Sequence, residues 1–289
     1  VMTIQWLPGH MAKARREVQQ RLKLVDVVIE LLDARLPMSS RNPMMDDIVK
    51  DKPRLVLLNK SDLADAAINR EWLNYFADRS MPATLIDARS GTGIDRIPGQ
   101  AAQLMEKRRQ SLKQKGLKNN IVRCLIVGIP NVGKSSLINR LAGRNAAKTG
   151  DRPGITQAQQ WIKVGKQMQL LDTPGILWPK FDDPEIGQRL AASGAIKDDI
   201  LPLEEVAVYV LNYLRERYPE ELLMRYRLDA VPEDAVQILE TIGEKRGCLV
   251  SGGTVNLEKA ADVLLRDLRS GKLGRISLEY PEDWRGESE

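Results

Sequence analysis

Residues 128–135 of this 289-residue chain fit the pattern G-x-x-x-x-G-K-S of a phosphate-binding loop. An apolar run at residues 122–127 precedes the motif and a helical pattern at residues 134–141 follows it, which is the strand–loop–helix context that the motif requires. A second signature, Asn59-Lys60-Ser61-Asp62, ends an earlier apolar run and so comes before the phosphate loop. The order of these two signatures constrains the topology of the sheet, and their chemistry constrains the ligand.

The phosphate loop predicts how a polyphosphate is held. Its glycines let backbone N–H groups curl round the phosphates, and the N-terminus of the following helix adds positive potential. We expect Lys134 to reach the β- and γ-phosphates and Ser135 to ligate Mg²⁺. The residues expected to line the phosphates are Asn131, Val132, Gly133, Lys134, Ser135 and Ser136.

Two later segments predict the rest of the magnesium and γ-phosphate site. Asp172-Thr173-Pro174-Gly175 lies about 40 residues after the phosphate loop, so Asp172 is expected to hold Mg²⁺ through water. The Gly175 N–H is expected to meet the γ-phosphate. Thr156 lies in the loop between the two motifs, next to the strand pattern that follows, and is expected to complete the Mg²⁺ shell and sense the γ-phosphate.

The tetrapeptide at residues 59–62 predicts which base is bound. The Asp62 carboxylate can accept bonds from the ring N–H and the exocyclic amine of guanine, whereas adenine offers a lone pair at the ring position. Asn59 is expected to order the loop and meet the base edge, and the stem of Lys60 to pack on the purine. Backbone N–H groups of Asp87 and Ala88, after the next apolar run, are expected to meet the purine carbonyl. Together these motifs predict a site for GTP and GDP.

Apolar runs at residues 27–32, 54–58, 83–86 and 122–127 alternate with helical patterns at residues 69–79, 94–114 and 134–141. This alternation favours a parallel sheet covered by helices on both faces. Strand patterns at residues 159–164 and 167–171 flank Gly165-Lys166, which predicts a hairpin.

After about residue 178 three helical stripes follow, and no strand alternation is obvious until the tail. The predicted fold is therefore a three-layer, Rossmann-like α/β domain of the P-loop GTPase class over residues 1–179, circularly permuted because the guanine motif precedes the phosphate loop. A C-terminal all-helical domain is predicted over residues 180–289.

Composition limits the function classes. The formal net charge of +5 and the pI of about 9.1 weakly indicate an acidic partner such as nucleic acid. Two cysteines are too few for a disulfide scaffold, and no apolar stretch approaches the roughly 20 residues of a membrane span. A cytoplasmic protein is expected, although the basic stretch at residues 10–23 could also mimic a transit peptide.

Basic residues near the ends of the C-terminal helical patterns suit RNA phosphates, but acidic neighbours make an inert helical domain an equal alternative. These basic residues are Lys245, Arg246, Arg266, Arg269, Lys272 and Arg275. The basic stretch at residues 106–120 is interpreted as a solvated helix face rather than a nucleic-acid contact.

The motifs above, the segment Trp6-Leu7-Pro8-Gly9-His10-Met11 and Asp33-Ala34-Arg35 resemble the circularly permuted GTPases of the bacterial ribosome biogenesis GTPase A family. The resemblance implies a helical RNA-binding domain that binds ribosomal RNA. It also implies action late in assembly of the large (50S) ribosomal subunit, with release on GTP hydrolysis. A monomer is expected, and Asp33-Ala34-Arg35 is interpreted as a structural ion pair.

The predicted hydrolytic machinery is incomplete. Many GTPases orient the attacking water with a Gln after D-x-x-G, but Ile176 stands there. The chain is therefore expected to hydrolyse GTP slowly alone and faster on the ribosome. His10, after a Pro-Gly turn, is a candidate to orient the water, as the family resemblance implies, or else a surface histidine. Asn131 resembles the Asn of K⁺-activated GTPases, or else orders the loop. Two alternative functions remain: a GTP-gated RNA-binding module and a GTPase serving a non-ribosomal RNA.

Overall fold

The computed structural model describes residues 8–49, 52–106, 110, 121–143, 161–173 and 183–284. Its strands form one six-stranded sheet in the order β3-β2-β1-β4-β6-β5, parallel except for β5, which runs antiparallel to β6. The strands are β1 (Val27–Asp33), β2 (Arg54–Asn59), β3 (Ala83–Leu85), β4 (Val122–Val127), β5 (Trp161–Val164) and β6 (Met168–Asp172). The predicted hairpin at Gly165-Lys166 is confirmed, and β4, which precedes the phosphate loop, lies in the centre of the sheet.

Helices cover both faces of the sheet, as predicted. On one face, Val18 and Leu22 pack with Leu125 and Leu171, and a neighbouring cluster surrounds Trp72. The opposite face packs against a third cluster. The helices are α1 (Pro8–Leu22), α2 (Met44–Val49), α3 (Ala66–Asp78), α4 (Ile97–Leu104) and α5 (Lys134–Ala142), with a 3-10 turn at Ile94–Arg96. The first three cover one face and the last two cover the other.

Residues 183–284 are helical apart from their connections. The helices are α6 (Pro184–Ser193), α7 (Leu203–Arg217), α8 (Pro219–Tyr226), α9 (Ala235–Lys245) and α10 (Leu257–Arg269), with 3-10 turns at Asp198–Ile200 and Pro281–Trp284. Asp183, Asp234 and Asn256 cap α6, α9 and α10 by accepting backbone N–H groups. The predicted stripes are buried in a hydrophobic cluster that also contains sheet residues. The proposed division at residue 180 lies outside the described residues and stays a prediction.

One local expectation was wrong, a second was met only in part, and one helix was not predicted. Pro8 and Gly9 begin helix α1 instead of forming a turn, since Pro is well tolerated in a first helical turn. The helix expected over residues 94–114 is interrupted: a 3-10 turn and α4 extend to Leu104, Met105 lies in a turn, and Glu106 and Gln110 are again helical. Helix α2 was not predicted, because six residues are too few to show a helical period. Among the helices of the described ranges, none is both long and apolar enough to cross a membrane.

Candidate nucleotide-binding site

The predicted site residues converge at one edge of the sheet. Asp33, Asn59 and Asp172 end β1, β2 and β6, and the phosphate loop follows β4. Asp33 is in register with Asn59, and Ile126 with Asp172. Because these strands are parallel, their carboxyl ends meet at the edge where ligands bind in open α/β sheets.

The backbone of the phosphate loop is tight enough to require glycine at position 133. Gly133 has φ +103°, and a Cβ at this position would lie 2.2 Å from Nδ2 of Asn59. Helix α5 begins at the next residue, Lys134. The Lys134 Nζ lies 3.1 Å from Asp172 Oδ1. The loop thus brings a helix N-terminus, a lysine and a carboxylate together, as phosphate and magnesium binding require.

Asn59 joins the guanine motif to the phosphate loop. Its buried side chain donates from Nδ2 to the Val132 carbonyl at 2.8 Å and accepts at Oδ1 from the Ala88 N–H at 2.9 Å. The predicted role of Asn59 in ordering the loop therefore has a direct geometric basis. The Ala88 N–H is bonded to Asn59 in this structure, so its contact with a purine carbonyl stays a prediction, as does that of Asp87.

Lys60 makes a second link to the phosphate loop. Its backbone is left-handed, with φ 59°, and its Nζ donates to the Asn131 carbonyl at 3.0 Å while lying 3.5 Å from Asp33 Oδ2. Burial lowers the pKa of Lys60, although Asp33 opposes the shift. The aliphatic stem of Lys60 is thus held between two segments that carry the site.

Asp33 and Arg35 form the structural ion pair that was expected. The Arg35 Nη2 lies 2.7 Å from Asp33 Oδ2, and both side chains are almost fully buried. Burial disfavours the Asp33 carboxylate, but Arg35 and then Lys60 outweigh that effect and lower its pKa to about 2. Arg35 also donates to the Ser193 carbonyl at 3.3 Å, so this pair touches the end of helix α6.

The base-reading carboxylate is accessible. Asp62 is exposed, and the preceding Ser61 is fixed by its N–H bond to the Ile86 carbonyl at 3.2 Å. Asp87 accepts the Arg89 N–H at 2.9 Å, which orders the turn after β3. Asp62 thus lies three residues after Asn59, and the Asp87 turn is joined to Asn59 by the Ala88 N–H.

The residues present suit a magnesium ion bound with a nucleotide. Ser135 and Asp172 offer hard oxygen donors, and Asp172 Oδ1 accepts no hydrogen bond from the described residues although Lys134 is near. No group of three or more His, Cys, Asp or Glu side chains forms a metal cage within the described ranges. This fits Mg²⁺, which is usually held by one or two protein oxygens together with phosphates and water. The predicted ligands Thr156 and Gly175 lie outside the described residues.

Of the two candidates for promoting hydrolysis, the structure describes the side chain of Asn131 but not that of His10. His10 lies in the first turn of α1, and its side chain is outside the described part. The same helix reaches the site through Arg21, which donates to the Asp172 carbonyl and pairs with Glu17. The Asn131 side chain donates from Nδ2 to the Gly194 carbonyl at 3.2 Å, at the C-terminal cap of α6. Sequence reasoning missed both Arg21 and this link to α6.

Comparison with known proteins agrees with this geometry. A family described as 50S ribosome-binding GTPase matches residues 123–242. Ribosome biogenesis GTPase A of Bacillus licheniformis is 56% identical over 98% of this chain and 100% of its own length. The Bacillus cereus relative of the same name is 56% identical over 98% of this chain and 96% of its own length.

A solved structure described as GNP-bound YlqF from T. maritima is 27% identical, with a TM-score of 0.64, and covers 93% of this chain and 99% of that one. Together these relatives show that the chain binds a guanine nucleotide and hydrolyses GTP. Identity of this extent with full-length relatives places the chain in a family: it belongs to the ribosome biogenesis GTPase A family.

Proposed function

We propose that this ribosome biogenesis GTPase acts late in assembly of the large (50S) ribosomal subunit, binds its ribosomal RNA, and leaves the particle when GTP is hydrolysed. The observation that carries the proposal is the direct contact between the nucleotide site and the helical region. Asn131 of the phosphate loop bonds to Gly194, and Arg35 beside Lys60 bonds to Ser193. A change at the γ-phosphate therefore has a short path to helix α6.

The connection between β6 and α6 strengthens this path. In the permuted chain, the segment after Asp172 leads directly to α6, with residues 173–183 between them. We assign Gly175 to the γ-phosphate, so nucleotide state would act on the segment that leads to the helical region. Segments that order round a γ-phosphate and relax after hydrolysis are a common switching device. We propose that this switch sets the affinity for the ribosomal particle.

Each polar residue of the site has one proposed role in catalysis. Lys134 binds the β- and γ-phosphates, Ser135 and Asp172 hold Mg²⁺, and Thr156 completes the shell. Mg²⁺ would neutralise charge that develops on the phosphates. Asp62 selects guanine through two accepted hydrogen bonds, and Asn59 holds its loop against the phosphate loop. These roles together need no residue that acts as a covalent nucleophile.

The usual residue that orients the attacking water is missing from this chain. Ile176 cannot bond to water, so we propose that His10 orients it once the ribosomal particle engages the N-terminal helix. We also propose a monovalent cation, K⁺, at Asn131, because its amide nitrogen is used by Gly194 while its oxygen can still coordinate. A cation there would supply charge in place of an arginine finger. The His10 proposal predicts slow turnover without the ribosome, and the K⁺ proposal predicts faster turnover in K⁺ than in Na⁺ at the same ionic strength.

The charge distribution bears on where RNA would bind. Residues 183–284 carry 13 Lys and Arg against 20 Asp and Glu, whereas residues 1–182 carry 30 against 17. Five of the six basic residues singled out in the helical region have side chains bonded within the protein: Lys245, Arg246, Arg266, Arg269 and Arg275. The acidic balance and these internal bonds disfavour the helical region as the main phosphate-binding surface.

A basic face on the GTPase region is better suited to RNA phosphates. Arg123 lies two residues before Leu125 on β4, and Lys163 lies two residues after Trp161 on β5. Because side chains two residues apart on a strand share a face, both basic residues lie on the side of the sheet that α1 covers. Arg123 also lies over the Trp161 ring at 5.2 Å. The basic face comprises the exposed residues Lys13, Arg16, Lys23, Arg123, Lys163 and Lys166. None of these side chains has an ion-pair partner among the described residues.

Co-sedimentation with ribosomal particles tests this proposal. We expect the chain loaded with a non-hydrolysable GTP analogue to pellet with immature large subunits, and the GDP-loaded chain to remain in the supernatant. Small subunits serve as a pelleting control and transfer RNA as a competitor, since both carry the same RNA phosphate backbone. Equal pelleting with small subunits, or displacement from large subunits by transfer RNA, would favour a GTPase that serves another RNA and contradict the large-subunit assignment.

A further inference from the structure

The guanine-reading loop is held from outside by a C-terminal segment of the helical region. Arg275 donates from Nε to the Ala64 carbonyl at 2.7 Å and from Nη2 to the Ser61 carbonyl at 2.8 Å. The next residue, Ile276, donates its N–H to the Leu63 carbonyl at 2.9 Å. Asp62 therefore has fixed carbonyls on both sides, and each is fixed by a residue more than 200 positions later in the chain.

The same segment continues across neighbouring loops. Ser277 Oγ accepts the Asp65 N–H at 3.0 Å, and the Leu278 N–H donates to the Arg35 carbonyl at 2.7 Å. The buried Glu279 carboxylate accepts the N–H groups of Met38 and Ser39, both at 2.8 Å. We call residues 275–279 the C-terminal clasp. It bridges the loops that follow β1 and β2, at the edge of the sheet where the nucleotide site lies.

The turn that delivers the clasp depends on glycine. Gly271 and Gly274 have φ +77° and +104°, backbone angles that residues with a side chain rarely adopt. A Cβ on Gly271 would also lie 2.8 Å from Leu63 Cδ2. The chain thus leaves α10, turns tightly over Leu63, and enters the clasp with Arg275 directed at the guanine loop. The conformation of the two glycines therefore places Arg275 against the guanine loop.

We propose that Arg275 is a positioning residue for guanine recognition, which it achieves by holding the two carbonyls that flank Asp62. The inference rests on the proposed role of Asp62 as the guanine-reading carboxylate. The bidentate guanidinium fixes the orientation of the Ser61 and Ala64 peptides, and so fixes where the Asp62 carboxylate points. A carboxylate must be well placed to accept two hydrogen bonds from one base, whereas one bond tolerates more freedom.

The consequence is a second route between the helical region and the nucleotide. The γ-phosphate route acts through α6, whereas the clasp acts on the base and does not depend on the number of phosphates. Because coupling between binding sites is reciprocal, a partner that pulls the clasp away would weaken guanine nucleotides, and a bound guanine would hold the clasp in place. GDP and GTP would be affected alike.

Base selectivity separates positioning from simple structural support. Inosine diphosphate keeps the ring N–H of guanine but lacks the exocyclic amine, so the ratio of GDP to IDP affinity reports the second hydrogen bond to Asp62. We expect Arg275→Met to lower this ratio by about tenfold or more, since one hydrogen bond to a charged acceptor has an effect of that size. Arg275→Lys, which keeps the charge and one donor, should give an intermediate ratio and provides a second test if the Met variant does not fold.

Two further variants make the outcomes distinguishable. Lys272→Met changes an exposed basic residue of the same turn that has no side-chain bond to the described residues, and should leave the ratio unchanged. Asp62→Ala should abolish the preference for GDP. If Asp62→Ala has no effect, the assignment of Asp62 itself fails. If Asp62→Ala removes the preference while Arg275→Met and Arg275→Lys retain the wild-type ratio, the positioning role of Arg275 is overturned.

Discussion

The side-chain amide of Asn59 donates to the backbone carbonyl of Val132 at 2.8 Å, across 73 residues of chain. This bond joins the segment that reads the base to the segment that holds the phosphates. Circular permutation reverses the order of these segments in sequence, but β1 still pairs with both of the strands that precede them, β2 and β4. The site therefore depends on contacts between strand ends and not on the order in which the chain visits them.

Replacing Asn59 tests that dependence. Asn59→Ala removes the donor to Val132 and the acceptor for the Ala88 N–H, and leaves both buried partners unsatisfied. We expect GDP affinity to fall by about tenfold or more, as loss of one or two buried hydrogen bonds predicts. Titration with a fluorescent GDP analogue measures the change. Asn74→Ala, on the exposed side of α3, is the matched control, and equal affinities for the two variants would contradict the prediction.

Base specificity should follow the chemistry of residue 62. Asp62→Asn exchanges one accepting oxygen for an amide donor, which suits xanthine because its ring carries a carbonyl where guanine has an amine. We expect turnover of GTP to fall and turnover of XTP to rise in this variant. A colorimetric phosphate assay with both nucleotides measures the exchange. Unchanged preference for GTP would show that another residue reads the base.

Much of the fold is predictable from sequence periodicity and motif context. The strand at residues 122–127 was placed at the bounds that the structure gives for β4, and β1 and β2 end one residue later than expected. These strands are buried and rich in β-branched or Leu residues, so their apolar runs are unambiguous. The burial of the helical stripes around Val210 and Leu264 also follows from their spacing.

The contacts between distant segments could not be predicted in the same way. As a basic residue near a helix end, Arg275 suits an RNA phosphate or an inert surface, whereas its guanidinium binds two backbone carbonyls of the guanine loop. A sequence shows a charge but not its partner 211 residues away. Helix α1 was missed because its Pro-Gly start resembles a turn and its polar composition hides the short buried stripe of Val18 and Leu22.

The clasp should make stability depend on pH. Burial raises the pKa of Glu279 from 4.5 to about 7, although Arg189 and the N–H groups of residues 38 and 39 oppose the shift. Between these values the folded protein binds a proton that the unfolded chain does not, so the contribution of Glu279 to stability falls as pH rises. It is fully present below pH 4.5 and lost through about pH 7.

A difference measurement isolates this effect. Relative to Glu279→Gln, which cannot ionise, the free energy of unfolding of the wild type should decrease by on the order of 1–3 kcal/mol as pH rises across that window. Urea denaturation at several pH values supplies the data. Glu282→Gln, on an exposed residue nearby, is expected to parallel the wild type. A difference between wild type and Glu279→Gln that stays constant with pH would refute the assignment.

Charge reversal on the basic face should weaken RNA binding. Lys163→Glu combined with Lys166→Glu replaces two exposed lysines around the β5–β6 hairpin. We expect affinity for large subunits to fall, and the slope of log affinity against log salt to become shallower by about one to two, because fewer counterions are released. Lys259→Glu combined with Lys272→Glu makes the same change in charge on the helical region. A larger effect of this control pair would locate the RNA contact there instead.

We propose that the large ribosomal subunit completes this GTPase, and GTP turnover in K⁺ buffer tests that proposal most directly. Purified protein is assayed alone, with immature or mature large subunits, and with small subunits at the same concentration. We expect slow turnover alone, because Ile176 stands where many GTPases have a water-orienting Gln, and a many-fold rise with large subunits only. Turnover that stays flat on addition of large subunits would contradict it.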